Sequence, residues 1–260
     1  MRYFDSLVHV TEDGSWLGSD RYDSGLDRLQ AAMDRVEPAR ACLVAIAGWI
    51  DNDIVTAVHR DHPERYVPVG GYDPGRAEDT AAAEQAIADL AGKGFAGVKL
   101  PPRLTGYDPL DERAVAAMPA AGRHDVVVFI DTLFRQRAVA TRRVDDVVDI
   151  IARECPDTRF VLLHGGGSAL LDLFELARMH PHLIVDVSFT IMRYARSSVD
   201  ADIRFMVQNL DQRMSLGSDF PEYTPAEALA RFAVLTEGLP ERKRENVAWR
   251  NLAALFGPDG

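Results

Sequence analysis

Short apolar runs alternate with amphipathic stretches along all 260 residues of the chain. Runs dense in Val, Ile, Leu and Phe cover Tyr3–His9, Ala41–Ala47, Arg65–Gly70, Ala96–Leu100, Val126–Asp131, Arg159–His164, Leu183–Ser188 and Arg213–Asp219. Few of them alternate strictly between polar and apolar. Strands of a parallel sheet covered on both faces read this way. Between the runs the period changes. Val144, Val147, Val148 and Ile151 fall on one helical face, and Leu26, Leu29, Met33 and Val36 do nearly the same after Ser24, a residue with N-cap chemistry. Asp79 or Thr80 opens an Ala-rich helix that stops at Gly92, and Ser168 is expected to cap a helix reaching about Met179. Thr224-Pro225-Ala226-Glu227 is a capping box with proline at the first helical position, and a last helix runs from about Glu241 to Leu255.

Eight strands alternating with helices predict a (β/α)₈ TIM barrel, α/β in class. The rival, an open doubly wound sheet, usually carries GxGxxG after its first strand, and that fingerprint is absent. The length matches the roughly 250 residues of one barrel, and no low-complexity tract or linker interrupts it, so residues 1–260 are read as a single domain. The longer connections, Thr11–Asp23, Pro101–Asp108 and Leu133–Arg142, all follow strand ends, where barrels keep their functional loops. A net charge of −11 disfavours nucleic acid and anionic membranes as partners. The two cysteines, Cys42 and Cys155, make neither a disulfide framework nor a zinc cluster. With no signal-peptide pattern and no apolar run near the length of a membrane span, the expected location is the cytoplasm. The expected partner is a small molecule, with a homodimer left open.

Candidate chemistry sits where the strands end. His9, Lys99, Asp131, His164 and Asp219 each close a predicted strand, and His164 is followed by Gly165, Gly166 and Gly167. Two imidazoles, two carboxylates and an amine at one rim suit a divalent ion or acid–base work on water. Each also has a structural reading: His9 as a cap on a loop carbonyl, Lys99 in an ion pair, Asp131 in an Asx turn, Asp219 as a turn cap. Lys99 and Arg103 could bind a substrate carboxylate or phosphate, or form an ion pair. Trp16 and Trp49, after the first two strands, could wall the cavity. Arg193 and Tyr194 follow the seventh strand and could reach the substrate, or simply form a solvated loop, the blander reading. His59, His62, His124, His180 and His182 lie on helices or before strands, the stability face of a barrel, and are set aside.

Four pieces carry a resemblance: Phe4-Asp5-Ser6-Leu7-Val8-His9-Val10, Gly97-Val98-Lys99-Leu100, Phe160-Val161-Leu162-Leu163-His164-Gly165-Gly166 and Leu216-Gly217-Ser218-Asp219-Phe220-Pro221. In this order they resemble the amidohydrolase-2 branch of the amidohydrolase superfamily, which includes aminocarboxymuconate-semialdehyde decarboxylase and several lactonases. The resemblance implies a distorted barrel. Its metal site takes two histidines from Asp-x-His-x-His, one from the fifth strand and the aspartate of Gly-Ser-Asp, while the sixth-strand histidine activates water. This chain keeps His9, His164 and Asp219. Leu7 stands where the first histidine of the pair is expected, and Asp131 where the fifth-strand histidine is expected, so the implied metal site is degenerate. His9, Asp131 and Asp219 would leave three donors for zinc, manganese or magnesium; alternatively no metal binds and the cavity works as an acid–base site.

The resulting expectation is an amidohydrolase-like enzyme that hydrolyses or decarboxylates a small polar or anionic molecule. His164 is the general base, Asp219 assists, and a neighbouring carboxylate raises the pKa of His164. The alternatives are a metal-free pseudoenzyme or binding protein on the same barrel, or a metal-independent isomerase, cyclase or lyase.

Overall fold

The computed structural model describes residues 1–36, 39–134 and 142–257. Eight strands form its centre: β1 (Tyr3–Val8), β2 (Ala39–Val44), β3 (Tyr66–Gly71), β4 (Gly97–Leu100), β5 (Val127–Asp131), β6 (Phe160–Leu163), β7 (Leu183–Asp186) and β8 (Met214–Ser215). They pair in sequence order, every pair parallel. Backbone bonds between the first and last staves bring the ends of the sheet together: Ser6 N donates to Leu216 O (3.1 Å), Asp219 N to Leu7 O (3.0 Å) and His9 N to Phe220 O (3.1 Å). The result is the expected (β/α)₈ barrel.

The helices follow the periodicity. In Val144–Glu154 the residues Val144, Val147, Val148 and Ile151 are all buried. Asp79 caps Thr80–Gly92 through Ala82 N, and the capping box at Thr224 and Glu227 opens Pro225–Leu235. Ser24 and Ser168 do not cap. Ser24 Oγ is drawn instead to Ser15 O, and the helix Leu170–Met179 begins after a glycine turn with no side-chain cap. The loop expected over Leu133–Arg142 lies mostly outside the described residues.

Strand alternation sorts the core into two shells. Leu100, Val128, Ile130 and Leu162 belong to the larger cluster, which includes buried residues of the surrounding helices. Phe4, Leu7, Val44, Val127, Phe129, Val161, Leu163 and Ile184 form a separate cluster inside the barrel. Gly97 makes room there, because a Cβ at that position would lie 2.9 Å from the Phe129 ring. The C-terminal helix closes the bottom: the Trp249 ring sits 5.7 Å from Phe4, and Phe256 lies 6.1 Å from Phe129. One step further along the inward-facing series, β4 carries Lys99, β5 Asp131 and β7 Asp186, all buried. The inside of the barrel is therefore apolar at the N-terminal ends of the strands and polar at the C-terminal ends.

Candidate active site

His9 and His164 follow directly after β1 and β6, and Asp219 lies four residues after β8. His164 (φ 66°) and Asp219 (φ 60°) adopt left-handed backbone, which ends β6 and turns the chain after β8. Asp131 stays in β5 and points inward, two residues beyond Phe129. A left-handed conformation at a non-glycine residue costs energy and concentrates at functional sites. Gly165, Gly166 and Gly167 continue that backbone after His164. At Gly165 a side chain would meet Asp186 O at 3.1 Å, so the turn tolerates none.

Both imidazoles have a fixed tautomer. His9 Nδ1 lies 2.6 Å from Val44 O, and a carbonyl only accepts, so Nδ1 carries the proton and Nε2 is a bare lone pair. That Nε2 is buried without a hydrogen-bond partner, 3.7 Å from Asp219 Oδ1. The ring stacks on Trp16 at 5.0 Å. His164 Nδ1 likewise faces Ser188 O at 3.2 Å, and Ser188 Oγ, also 3.2 Å away, already donates to Asp186, so Nδ1 carries the proton and Nε2 is bare, 4.0 Å from Asp131 Oδ2. The expected partnership of His164 with Asp219 is thus exchanged: His9 faces Asp219, and His164 faces Asp131.

The electrostatics differ from the sequence expectation at His164. Burial pushes its pKa down to about 4, against the upward pull of Asp131 and with Lys99 and Arg103 adding to the fall. His9 is held well below the ordinary value, also by burial. Both rings are neutral at pH 7. Burial pushes the Asp219 carboxyl up to about 7, although Lys99 pulls the other way. Burial would raise Asp131 as well, but Arg103, His164 and Lys99 outweigh it and hold this carboxyl below its usual range. Since His164 is neutral, the Arg103 guanidinium does most of that work. The site thus pairs one ionised carboxylate with one that shares its proton near neutrality. Two carboxyls driven apart in this way is how acid and base roles are divided.

Asp131 is fully engaged. Its Oδ1 closes an Asx turn on Leu133 N (2.9 Å), and its Oδ2 accepts from Arg103 Nε (3.0 Å) and Nη2 (2.9 Å). This decides whether the donors fit a divalent ion. A catalytic site needs about three protein donors. His9 Nε2 and Asp219 offer two bare donors, but the third expected donor already holds a guanidinium, and Leu7 fills the apolar cluster inside the barrel. Among the described residues no group of three or more His, Cys, Asp or Glu side chains is arranged to hold a metal. The residues as arranged do not fit the metal.

A pocket of about 400 Å³ opens above these groups, with Asp219, Arg103 and Leu133 among its lining residues. Sequence reasoning missed most of its wall: Arg21 and Tyr22 from the first loop, Phe189 after β7, and Glu222 and Tyr223 after Asp219. Arg193, read as a solvated loop residue, lines it too. Trp16 reaches the site through His9 and through Nε1 to Glu222 Oε1 (3.4 Å). Trp49 is half exposed and does not line this pocket. Under His164, Asp186 accepts from Ser188 N (3.0 Å), Ser215 Oγ (3.0 Å) and the Ser6 and Ser188 hydroxyls. The one available signal was its register two residues beyond the inward-facing Ile184.

Comparison with known proteins agrees with the fold. A family model described as Amidohydrolase matches residues 12–257. An uncharacterized TIM-barrel protein from Bordetella bronchiseptica is similar over 98% of both chains, with a TM-score of 0.82 and 17% identity. The 5-carboxyvanillate decarboxylase of Sphingomonas paucimobilis is similar over 98% of both chains, with a TM-score of 0.72 and 16% identity. A 5-carboxyvanillate decarboxylase from Novosphingobium aromaticivorans, complexed with manganese and a substituted nitrobenzoic acid, gives a TM-score of 0.68 at 14% identity, over 98% of this chain and 95% of that one. At these identities the likeness is one of fold. No curated protein matches the sequence.

Proposed function

The chain belongs to the amidohydrolase family, and from that premise we propose that it is an enzyme which moves protons on a small anionic substrate in hydrolysis or decarboxylation. The observation that carries this reading is the placement of a buried acid–base set under a cationic pocket. Arg21, Arg103 and Arg193 line the opening and suit a carboxylate. Neutral His164, with Nε2 bare, accepts a proton from water or substrate. Asp219, balanced near neutrality beside His9 Nε2, gives one back. Burial keeps water from levelling these differences. Two of the similar structures are decarboxylases by name, which supports carbon–carboxylate cleavage as one form of the reaction.

The test is a panel of small carboxylic acids and lactones assayed for carbon dioxide and acid release with wild type, His164→Asn and Asp219→Asn. Losing a general base or acid typically costs about 10²–10⁴-fold in rate. A substrate turned over by wild type and, at every pH, nearly as fast by His164→Asn would overturn the acid–base assignment. Binding of an anion by calorimetry without turnover across the panel would favour a binding protein on the same barrel.

A further inference from the structure

We propose that Lys99, buried beside residues that line this pocket, is an amine nucleophile that forms an imine with a carbonyl-bearing acid, a keto acid. The side chain extends from the inner face of β4 and is 2% exposed, among the largest fully covered side chains in the protein. Among the described residues no hydrogen bond or ion pair ties up its Nζ. The charges that act on it are those of Asp131, Asp219, Arg103 and Asp186, and Asp219 and Arg103 line the pocket.

The choice of residue is informative. The chain holds 26 arginines and three lysines. Lys93 is exposed at the end of a helix, and Lys243 is spent on Asp211 Oδ1 (2.9 Å) and Gln208 O. Only Lys99 is buried. Where the site needs a permanent cation, on Asp131, it uses Arg103. Arginine stays charged in a protein, whereas a buried lysine gives up its proton readily and becomes a nucleophile. Burial lowers the Lys99 pKa, Asp131 and Asp219 resist, and the Arg103 guanidinium adds to the fall, for a net drop below the ordinary value.

The step balances with groups in hand. The neutral amine adds to the carbonyl carbon, forming a C–N bond. The adduct nitrogen passes one proton to the oxygen and Asp219 gives it a second, so that it leaves as water and a protonated imine remains. In a β-keto acid the bond to the carboxylate then breaks, its electron pair moves toward the iminium nitrogen and carbon dioxide departs. The enamine takes a proton at carbon, and water returns ketone and free amine. No oxidant or reductant is consumed. The inference names a substrate class for the proposed acid–base site, but trapping at Lys99 does not require His164, so the two readings fail separately.

The experiment is reduction of intact protein with borohydride in the presence of acetoacetate or pyruvate, followed by peptide mapping. Each unit by which a lysine pKa falls gives about tenfold more free amine at neutral pH. The expected result is an adduct on Lys99 in at least about tenfold excess over Lys93 and Lys243, retained in His164→Asn and absent in Lys99→Arg. No adduct on Lys99, or equal labelling of the three lysines in wild type, overturns the proposal whether or not the Lys99→Arg variant folds.

Discussion

Asp5 lies in β1, fully buried, and accepts hydrogen bonds from Tyr3 Oη (3.0 Å), Leu7 N (3.1 Å) and Ser218 N (2.8 Å). Burial outweighs these donors and pushes its pKa up to about 7, as at Asp219. An unfolded aspartate titrates near 3.9. Between those values the folded state holds the extra proton, so the contribution to stability is complete below about pH 4 and is lost as pH rises through about 7. His164 acts in the other direction: folded near 4 against about 6.5 unfolded, it favours folding above about pH 6.5 and loses that contribution as pH falls toward 4. Above about pH 6.5 only the carboxyl effect remains. Wild type is therefore expected to lose stability between pH 6 and 8.5. Asp5→Asn, which keeps an acceptor oxygen, should reduce that loss by about 1 kcal/mol, since the slope runs only up to about pH 7. Urea unfolding at the two pH values checks this; an unchanged slope would show that Asp5 is ionised throughout. None of this was legible in the sequence, where Asp5 was only part of a motif, because a pKa depends on which elements close over a residue.

The turn after β8 shows what an element demands of one position. A Cβ at Gly217 would lie 2.9 Å from Ser188 Cβ and 3.0 Å from Asp5 Oδ1, and would strike the Ser6 hydroxyl. Gly217→Ala is expected to destabilise the protein by about 1–3 kcal/mol, the usual cost of overpacking, read from the denaturation midpoint. A neutral result would mean that β1 and β8 are less closely joined than their hydrogen bonds imply. The Arg103–Asp131 pair ties the turn after β4 to the end of β5. Removing the guanidinium leaves a buried carboxylate alone. Arg103→Met should cost roughly 2–3 kcal/mol, less than the 3–5 of a fully buried pair because Arg103 is partly exposed. The pairing follows from strand adjacency: β4 and β5 are neighbours, so residues just beyond their ends meet.

At the scale of the whole molecule the barrel turns separate strand ends into one site, and this sets how a metal could return. Leu7→His restores the donor implied by the resemblance, but Arg103 still occupies Asp131. Metal occupancy after dialysis against manganese or zinc, measured by mass spectrometry, should rise further in Leu7→His/Arg103→Ala than in Leu7→His alone. Equal occupancy in the two variants would show that the guanidinium moves aside freely. The acidic surface and the arginine-lined opening also predict a salt response. An anionic substrate drawn to local positive charge should show a KM that rises with ionic strength, since exposed charges are screened over about 10 Å at 0.1 M. A KM insensitive to salt would place recognition on the aromatic wall instead.

The sequence by itself determined the barrel, because eight short apolar runs, too continuous for a half-exposed sheet, alternate with helical stretches of period 3.6. It also determined which residues stand at strand ends, since closure then carries His9, Lys99, Asp131, His164 and Asp219 to the same end of the barrel. Only the tertiary structure decided who faces whom. The exchange of partners between the histidines and aspartates, the guanidinium on Asp131, and the pocket wall built by Arg21, Arg193 and Tyr223 depend on side-chain directions and on loops far apart in the chain. Those contacts are set by distances of a few ångströms across the mouth of the barrel, and hydrophobic periodicity along the chain carries no information about them.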